Sequence, residues 1–343
     1  MILDGSVSNR SRKKVASVFR VITLLLIGVR WLHISTSILL AALFLFEPVM
    51  VAPFARMAAQ AIQPLFLSVR RWRNRFTWWA WSFAQISWIA WLWLITASLS
   101  GEGLAACIGS GAIGTVLFST QFGHLWLMRL VIGLVFGIGL WLSERKSRGP
   151  SALEMSLAWL STFELVSLAW GGHAAADSGP HAALHLLADG IHLLALVFWP
   201  GFLLPLAAFL LVMLKSDQID ALGLASAIVR RFSVSSLIAV TTIIVTGLLN
   251  SLFMVGHLRA LLTTDYGRLL ISKVVLFLLM VGFGAWNLLQ LKPSLAVDAV
   301  PMNVARQERA MRSLVRNVLW EVGLGAAVIL IVAVVGITPP PMR

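Results

Sequence analysis

The chain has little of what a soluble domain of its length carries. Of 343 residues only 12% are charged, with 27 basic against 14 acidic side chains. A soluble chain would hold about twice that share of charge. There is one cysteine, Cys107, so an internal disulfide framework and any multi-cysteine metal site are excluded. No glycine-rich phosphate-binding motif followed by Lys-Ser or Lys-Thr occurs, so the chain is expected not to hydrolyse a nucleotide itself and not to be an enzyme. What it has in excess is apolar sequence: 59% hydrophobic residues and a mean hydropathy of +0.89. These residues come in blocks rather than stripes, and about 20 of them in a row cross a bilayer core. The class is a polytopic all-α membrane protein surrounded by lipid.

Eight transmembrane helices are expected, at 20–46, 77–100, 120–142, 152–172, 182–214, 232–256, 266–291 and 314–337. The connecting loops alternate in charge. The loop 47–76 carries Arg56, Arg70, Arg71, Arg73 and Arg75, whereas 101–119 has no Lys or Arg. Loops 143–151, 215–231 and 292–313 are again basic, while 173–181 has no base and 257–265 only Arg259. This pattern is a topology signal, with the basic loops in the cytoplasm. It also disposes of nucleic acid as a partner for the net charge of +13, because the bases sit in short loops between spans. Both termini then lie outside. The basic tail 1–19, with Arg10, Arg12, Lys13 and Lys14, pulls the other way. The segment 49–69 would restore agreement as a ninth crossing, but Arg56, Gln60, Gln63, Pro53 and Pro64 argue against its spanning.

An internal repeat is visible. "TQFGHLWLMR" at 120–129 and "TDYGRLLISK" at 264–273 share Thr, an aromatic, Gly, Leu and a base at matched offsets. "RWLH" at 30–33 and "DGIH" at 189–192 each place a charge three residues before a histidine. The expected organisation is two four-helix repeats in parallel orientation, residues 1–172 and 173–343. Sites in such proteins often lie between the repeats near the midplane.

Four of the seven histidines fall between 171 and 201. His181, His185, Asp189 and His192 follow helical spacing and form one stripe down the fifth span. His192 then sits about 16 Å below His181, near the bilayer centre. His173 lies across a short loop from the top of the stripe, and His33 is the repeat counterpart of His192. His124 and His257 stand at outer ends of spans; His257 reads as an interfacial residue, and His124 is balanced between that role and ligation. Ionisable groups inside a membrane are costly and tend to be functional. Imidazole suits copper, zinc, iron and nickel, so the candidate metal ligands are His173, His181, His185, His192, His33, His124 and Asp189. Asp189 either coordinates an ion directly or orients a histidine. Met128 and Met254 are further candidates for a soft ion such as Cu(I). Arg129 and Glu164 are expected to pair, as are Arg30 and Asp189; Lys273 has no evident partner, and Glu321 sits nearer the inside. The tryptophans of "WWAWSFAQISWIAWLW" at 78–93 read as an interfacial belt with lipid-facing or packing bulk. Cys107, in an outer loop, receives no role.

The stretch "GGHAAADSGPHAALHLLADGIHLLALVFWPGFLLPL" resembles the copper resistance protein D family (CopD-like) of bacterial inner-membrane proteins. In order, Arg231-Phe232-Ser233, Thr246-Gly247 with Asn250, Thr264, Tyr266-Gly267, Lys273, Asn287, Pro293, Glu321 and Pro339-Pro340 extend the resemblance, and "RWLH" and "TQFGHLWLMR" carry it into the first half. It implies an eight-helix protein of the bacterial inner membrane that takes copper ions from the periplasm, often beside a small periplasmic copper-binding partner of the CopC kind. Two departures stand out. Trp199-Pro200-Gly201 replaces a pattern of Trp, an apolar residue and two glycines, and a proline there is expected to kink the helix below His192. No copper-binding domain precedes the first span, so a delivery partner would be a separate chain. The expected function is copper transport along a histidine-lined path. The competing readings are a b-type haem protein using His33 and His192 on different helices, and a membrane scaffold for a periplasmic copper-binding partner.

Overall fold

A computed structural model describes residues 5–55, 63–101, 103–145, 152–172, 179–216, 219–255, 258–292 and 304–341. Among the described residues there is no strand. Eight helices are long and apolar enough to cross a membrane: Ser17–Phe54, Pro64–Ser100, Gln121–Arg145, Ala152–Gly171, Ala182–Leu214, Asp220–Val255, Asp265–Leu291 and Ala305–Val335. They are called here the first to eighth spans. A chain in lipid must satisfy its backbone groups internally, and helices do so within one segment.

Several spans run further than their hydropathy suggests, because arginines continue the helix beyond the apolar block. Arg70 and Arg73, on the second span, both pair with buried Glu154 at the start of the fourth, and Arg73 also pairs with Glu47 of the first. Long basic side chains reach the membrane surface while their stems stay apolar, so the helix has no reason to end at the first base. The loop expected at 101–119 contains two short helices, Ala106–Gly109 and Ala112–Ser119. Cys107 is buried there, 3.4 Å from the Ser100 hydroxyl.

The first span is the central one. It packs on the second, fourth, fifth and eighth, whereas the seventh lies mainly against the eighth. Accordingly 67% of the first span's apolar window is buried and only 6% of the seventh's. The spans also pair in corresponding ways: first on second and fifth on sixth, first on fourth and fifth on eighth, third on fourth and seventh on eighth. Toward the basic end, Phe44, Phe46, Phe136, Phe202 and Phe209 form an aromatic core, with Phe46 edge-on to Phe202 at 5.5 Å.

The two copies of the Thr-x-aromatic-Gly motif fold alike. Thr120 accepts a hydrogen bond from the Gly123 N–H at 2.9 Å and donates to the Val116 carbonyl at 2.6 Å. Thr264 accepts from Gly267 at 3.1 Å and donates to Ala260 at 2.7 Å. Each threonine thus caps the incoming span and ties it to the preceding short helix. A side chain at Gly123 or Gly267 would run into main-chain atoms of that short helix.

Proline does not break the fifth span. Val197–Gly201 form a π-helical turn that contains Pro200, and α-helix resumes at Phe202. The wide turn absorbs the missing N–H, and turns of this kind gather at functional positions. Others are Glu47–Val51 in the first span and Asn287–Leu291, which ends the seventh.

Candidate functional site

The fifth span is zipped to the sixth by three side-chain contacts, one per helical turn. His185 is buried and stacks on Phe253, with ring centroids 4.8 Å apart. One turn down, Asp189 Oδ1 accepts from Asn250 Nδ2 at 3.2 Å. One turn further, the His192 ring bonds through Nδ1 to Thr246 Oγ1 at 2.9 Å. The Thr246 hydroxyl donates its own proton to the Thr242 carbonyl at 2.6 Å. Its oxygen is therefore an acceptor toward His192, which places the ring proton on Nδ1 and the lone pair on Nε2. No described residue hydrogen-bonds that Nε2. Lys273 of the seventh span lies within electrostatic reach of both Asp189 and His192. The base without an evident partner in the sequence thus faces the stripe.

His33 has the opposite fate. It is wholly buried, stacked on Trp88 at 4.8 Å and edge-on to Trp91 at 5.7 Å. Its Nδ1 lies 3.1 Å from the Ala84 carbonyl and 3.2 Å from Ser87 Oγ. A carbonyl can only accept, so the proton is on Nδ1. The lone pair on Nε2 then accepts from Arg129 Nη2 at 2.8 Å. Both ring nitrogens are committed. Arg129 is itself fully buried, with its guanidinium 4.6 Å above Trp88 and bonded to the Glu164 carbonyl and the Ser167 hydroxyl.

The remaining candidates scatter. His181 is exposed at the start of the fifth span, with its carbonyl bonded to the His185 N–H at 3.0 Å. His124 is exposed on the third span, its Nε2 3.3 Å from the Phe118 carbonyl, and does not join the stripe. His173, like His257, lies outside the described residues. Among the described residues no three His, Cys, Asp or Glu side chains converge closely enough to cage a metal ion. His185, Asp189 and His192 form a line rather than a pocket.

Several charge pairings differ from those expected. Arg129 and Glu164 do meet across the third and fourth spans, within electrostatic reach of one another, but the hydrogen bond goes to the Glu164 main-chain carbonyl and Oε2 has no partner among the described residues. Arg30 and Asp189 each have other neighbours. The Arg30 guanidinium lies 4.6 Å over Trp91 and against Gly336, where any side chain would strike it. Asp189 turns to Asn250 and Lys273 because it faces the sixth and seventh spans. The tryptophan run splits: Trp79 is exposed, but Trp88 and Trp91 wall in His33.

The sequence reading passed over a second polar cluster, around Glu321. This carboxyl is buried and accepts from Asn287 Nδ2 at 2.7 Å, while Asn317 Nδ2 donates to Asn287 Oδ1 at 2.8 Å. The Trp199 indole also faces it. Trp199 follows His185 and His192 at seven-residue steps, so it continues their face of the fifth span. That spacing was the available signal. Both groups that reach Glu321 from other spans sit on π-helical turns, Trp199 on Val197–Gly201 and Asn287 on Asn287–Leu291.

An eight-span helical bundle with ionisable side chains buried in its spans is a polytopic α-helical membrane protein. Residues 21–184 match the family model "Copper resistance protein D-like, N-terminal domain", and residues 226–335 match "Copper resistance protein D". The chain is 31% identical over 232 residues to copper resistance protein D of Pseudomonas syringae pv. tomato, covering 65% of this chain and 70% of that protein. It is 30% identical over 250 residues to the inner membrane protein YebZ of Escherichia coli K12, covering 72% and 78%. It is 28% identical over 247 residues to the copper transport protein CutJ of Bacillus subtilis 168, covering 72% of this chain and 42% of that protein. No solved structure matches. The chain belongs to the copper resistance protein D family and is a multi-pass protein of the bacterial inner membrane. His185, Asp189 and His192 lie between the two matched segments.

Proposed function

We propose that the protein carries copper across the inner membrane, with the fifth-span column as its path and the ion entering from the periplasmic side. The observation that carries this reading is the ladder between the fifth and sixth spans, which holds His192 by Nδ1 and leaves Nε2 without a partner among the described residues. An imidazole fixed through one nitrogen and open at the other is how proteins present histidine to a metal. Copper accepts imidazole ligands in either oxidation state. The ion enters at His181, joined by His173, passes His185 and Asp189, and reaches His192 near the midplane. Trp199 and the Glu321–Asn287 cluster lead inward from there. The linear arrangement suits passage, since a carrier must bind firmly enough to admit an ion and loosely enough to release it. A tight cage would trap it. The carrier is not itself an enzyme in this reading, and a separate periplasmic copper-binding chain of the CopC kind would load it.

The reading treats the chain as two halves, 1–172 and 173–343. In its support, His33 and His192 each bond by Nδ1 to a hydroxyl on the next span, Ser87 or Thr246, 54 residues further on in both cases. In each half a base from the third helix, Arg129 or Lys273, approaches the histidine. Only the second half keeps its histidine open, so His33 is left off the path. The same commitment of His33 argues against a haem held between His33 and His192.

The test is whole-cell copper content under copper stress, comparing cells with wild-type protein, H185A, H192A and no protein. Loss of copper accumulation in both variants, at normal membrane abundance, supports the path. Full accumulation in both defeats it and favours a scaffold. A Soret band in the purified protein would favour haem instead.

A further inference from the structure

An open groove of about 750 Å³ runs down the lipid-facing seam between the fifth and sixth spans, closed at its basic end by the end of the first span. Its walls are apolar, among them Val49, Phe198 and Ile238, and they end at Thr242. Two arginines, Arg230 and Arg231, stand at its basic end, both exposed. Among the described residues each is anchored by one part of its guanidinium only. Arg231 donates from Nε to the Val49 carbonyl at 2.6 Å, and Arg230 from Nη1 to Ser226 Oγ at 3.2 Å. Both side chains line the groove, and their remaining N–H groups have no partner among the described residues.

We propose that this groove is a binding site for one anionic phospholipid of the basic-side leaflet. The phosphate sits at Arg230 and Arg231, and one acyl chain lies along the seam. Three features select this occupant. The groove is apolar where an acyl chain would lie and doubly cationic where a phosphate would lie. Arginine matches the phosphate group by paired hydrogen bonds. The length also fits: Arg231 to Thr242 is eleven residues, about 16 Å of helix, against about 15 Å for one leaflet's half of the hydrocarbon core. The seam continues as a smaller groove past Thr242 to Thr246 and Leu249. The Thr242 carbonyl holds the Thr246 hydroxyl, so a chain lying against it braces the sixth span beside His192.

Native mass spectrometry of the purified full chain tests this, with phosphatidylglycerol and phosphatidylcholine of matched acyl chains as the probes. The expected result is one retained phosphatidylglycerol and a preference over phosphatidylcholine of roughly thirtyfold, the product of two near-surface arginines. R230Q/R231Q brings the two lipids to parity, whereas R309Q/R312Q, which removes two exposed charges from the eighth span, leaves the preference intact. Ser235 also lines the groove, so S235W fills it with both arginines present and lowers retention of either lipid. Equal retention of both lipids by wild type overturns the proposal, and so does an unchanged preference in R230Q/R231Q. A dimer that S235W dissociates overturns it too, since a second copy would then be what covers the seam.

Discussion

Replacing His33 with alanine and replacing His192 with alanine should have opposite consequences, although the two-repeat reading of the sequence would equate the two positions. His33 accepts from the buried Arg129 and stacks on Trp88. Its removal takes away a charge-assisted hydrogen bond, about 1.5–3 kcal/mol, and a ring stack, about 0.5–1.5 kcal/mol. The sum, about 2–4.5 kcal/mol, overlaps the cost of stranding one partner of a buried charged pair, about 3–5 kcal/mol. His192 is half-buried and gives up one neutral bond to Thr246, about 0.5–1.5 kcal/mol. H33A should therefore unfold at clearly lower SDS fraction than H192A in mixed micelles. Whole-cell copper should show the reverse order once corrected for the amount of folded protein. H192A loses accumulation, and H33A keeps it. H33Q, whose carboxamide oxygen can accept from Arg129, should recover part of the stability. Equal unfolding curves for H33A and H192A would refute the argument, and so would an H33A protein of normal stability that has lost copper accumulation.

The capping threonines offer a paired test: T120A and T264A should each cost about 1 kcal/mol of stability in the same unfolding assay, while G123A and G267A should cost more, because their Cβ atoms meet main-chain atoms that cannot yield. At the basic end, E154Q should destabilise by about 1.5–3 kcal/mol, since it removes the carboxylate charge that Arg70 and Arg73 share while Arg73 keeps Glu47. E47Q, whose carboxylate is about one-third exposed, should cost about 0–1 kcal/mol. Cys107 is fully buried, so a membrane-permeant maleimide should label it only after the protein is unfolded.

The spans were legible because lipid imposes one rule on every residue between the interfaces, and apolar blocks record it. Their ends were not, since an arginine ends an apolar block without ending a helix. Arg70 and Arg73 stay helical by reaching Glu154 and Glu47, acidic partners on other spans that no local window contains. The stripe on the fifth span was legible from spacing alone. Its partners were only half so: Thr246 and Asn250 stand four apart and share a face, but periodicity does not say which neighbour that face meets. Lys273 looked partnerless for the same reason. The sealing of His33 was hidden further, because two of the tryptophans read as an interfacial belt, Trp88 and Trp91, turn inward and close around it.

The contrast between His33 and His192 follows from a single lone pair. A neutral imidazole bonded through Nδ1 has one nitrogen left for a metal. At His33 that nitrogen meets a guanidinium, which can only donate and is fixed by the Glu164 carbonyl, Ser167 and Trp88. A metal ion could displace it only by leaving that charge buried without its acceptor. In the second half the corresponding base is a lysine on a flexible stem, and it also faces Asp189. It can swing toward the carboxylate while His192 binds an ion, so its charge keeps a partner throughout. Exchanging the two bases should therefore exchange the fates of the two histidines. K273R should close His192 and abolish copper accumulation with little loss of stability, and R129K should loosen His33 without creating transport, because no carboxylate stands three residues before it to hold the displaced base: that position is Arg30.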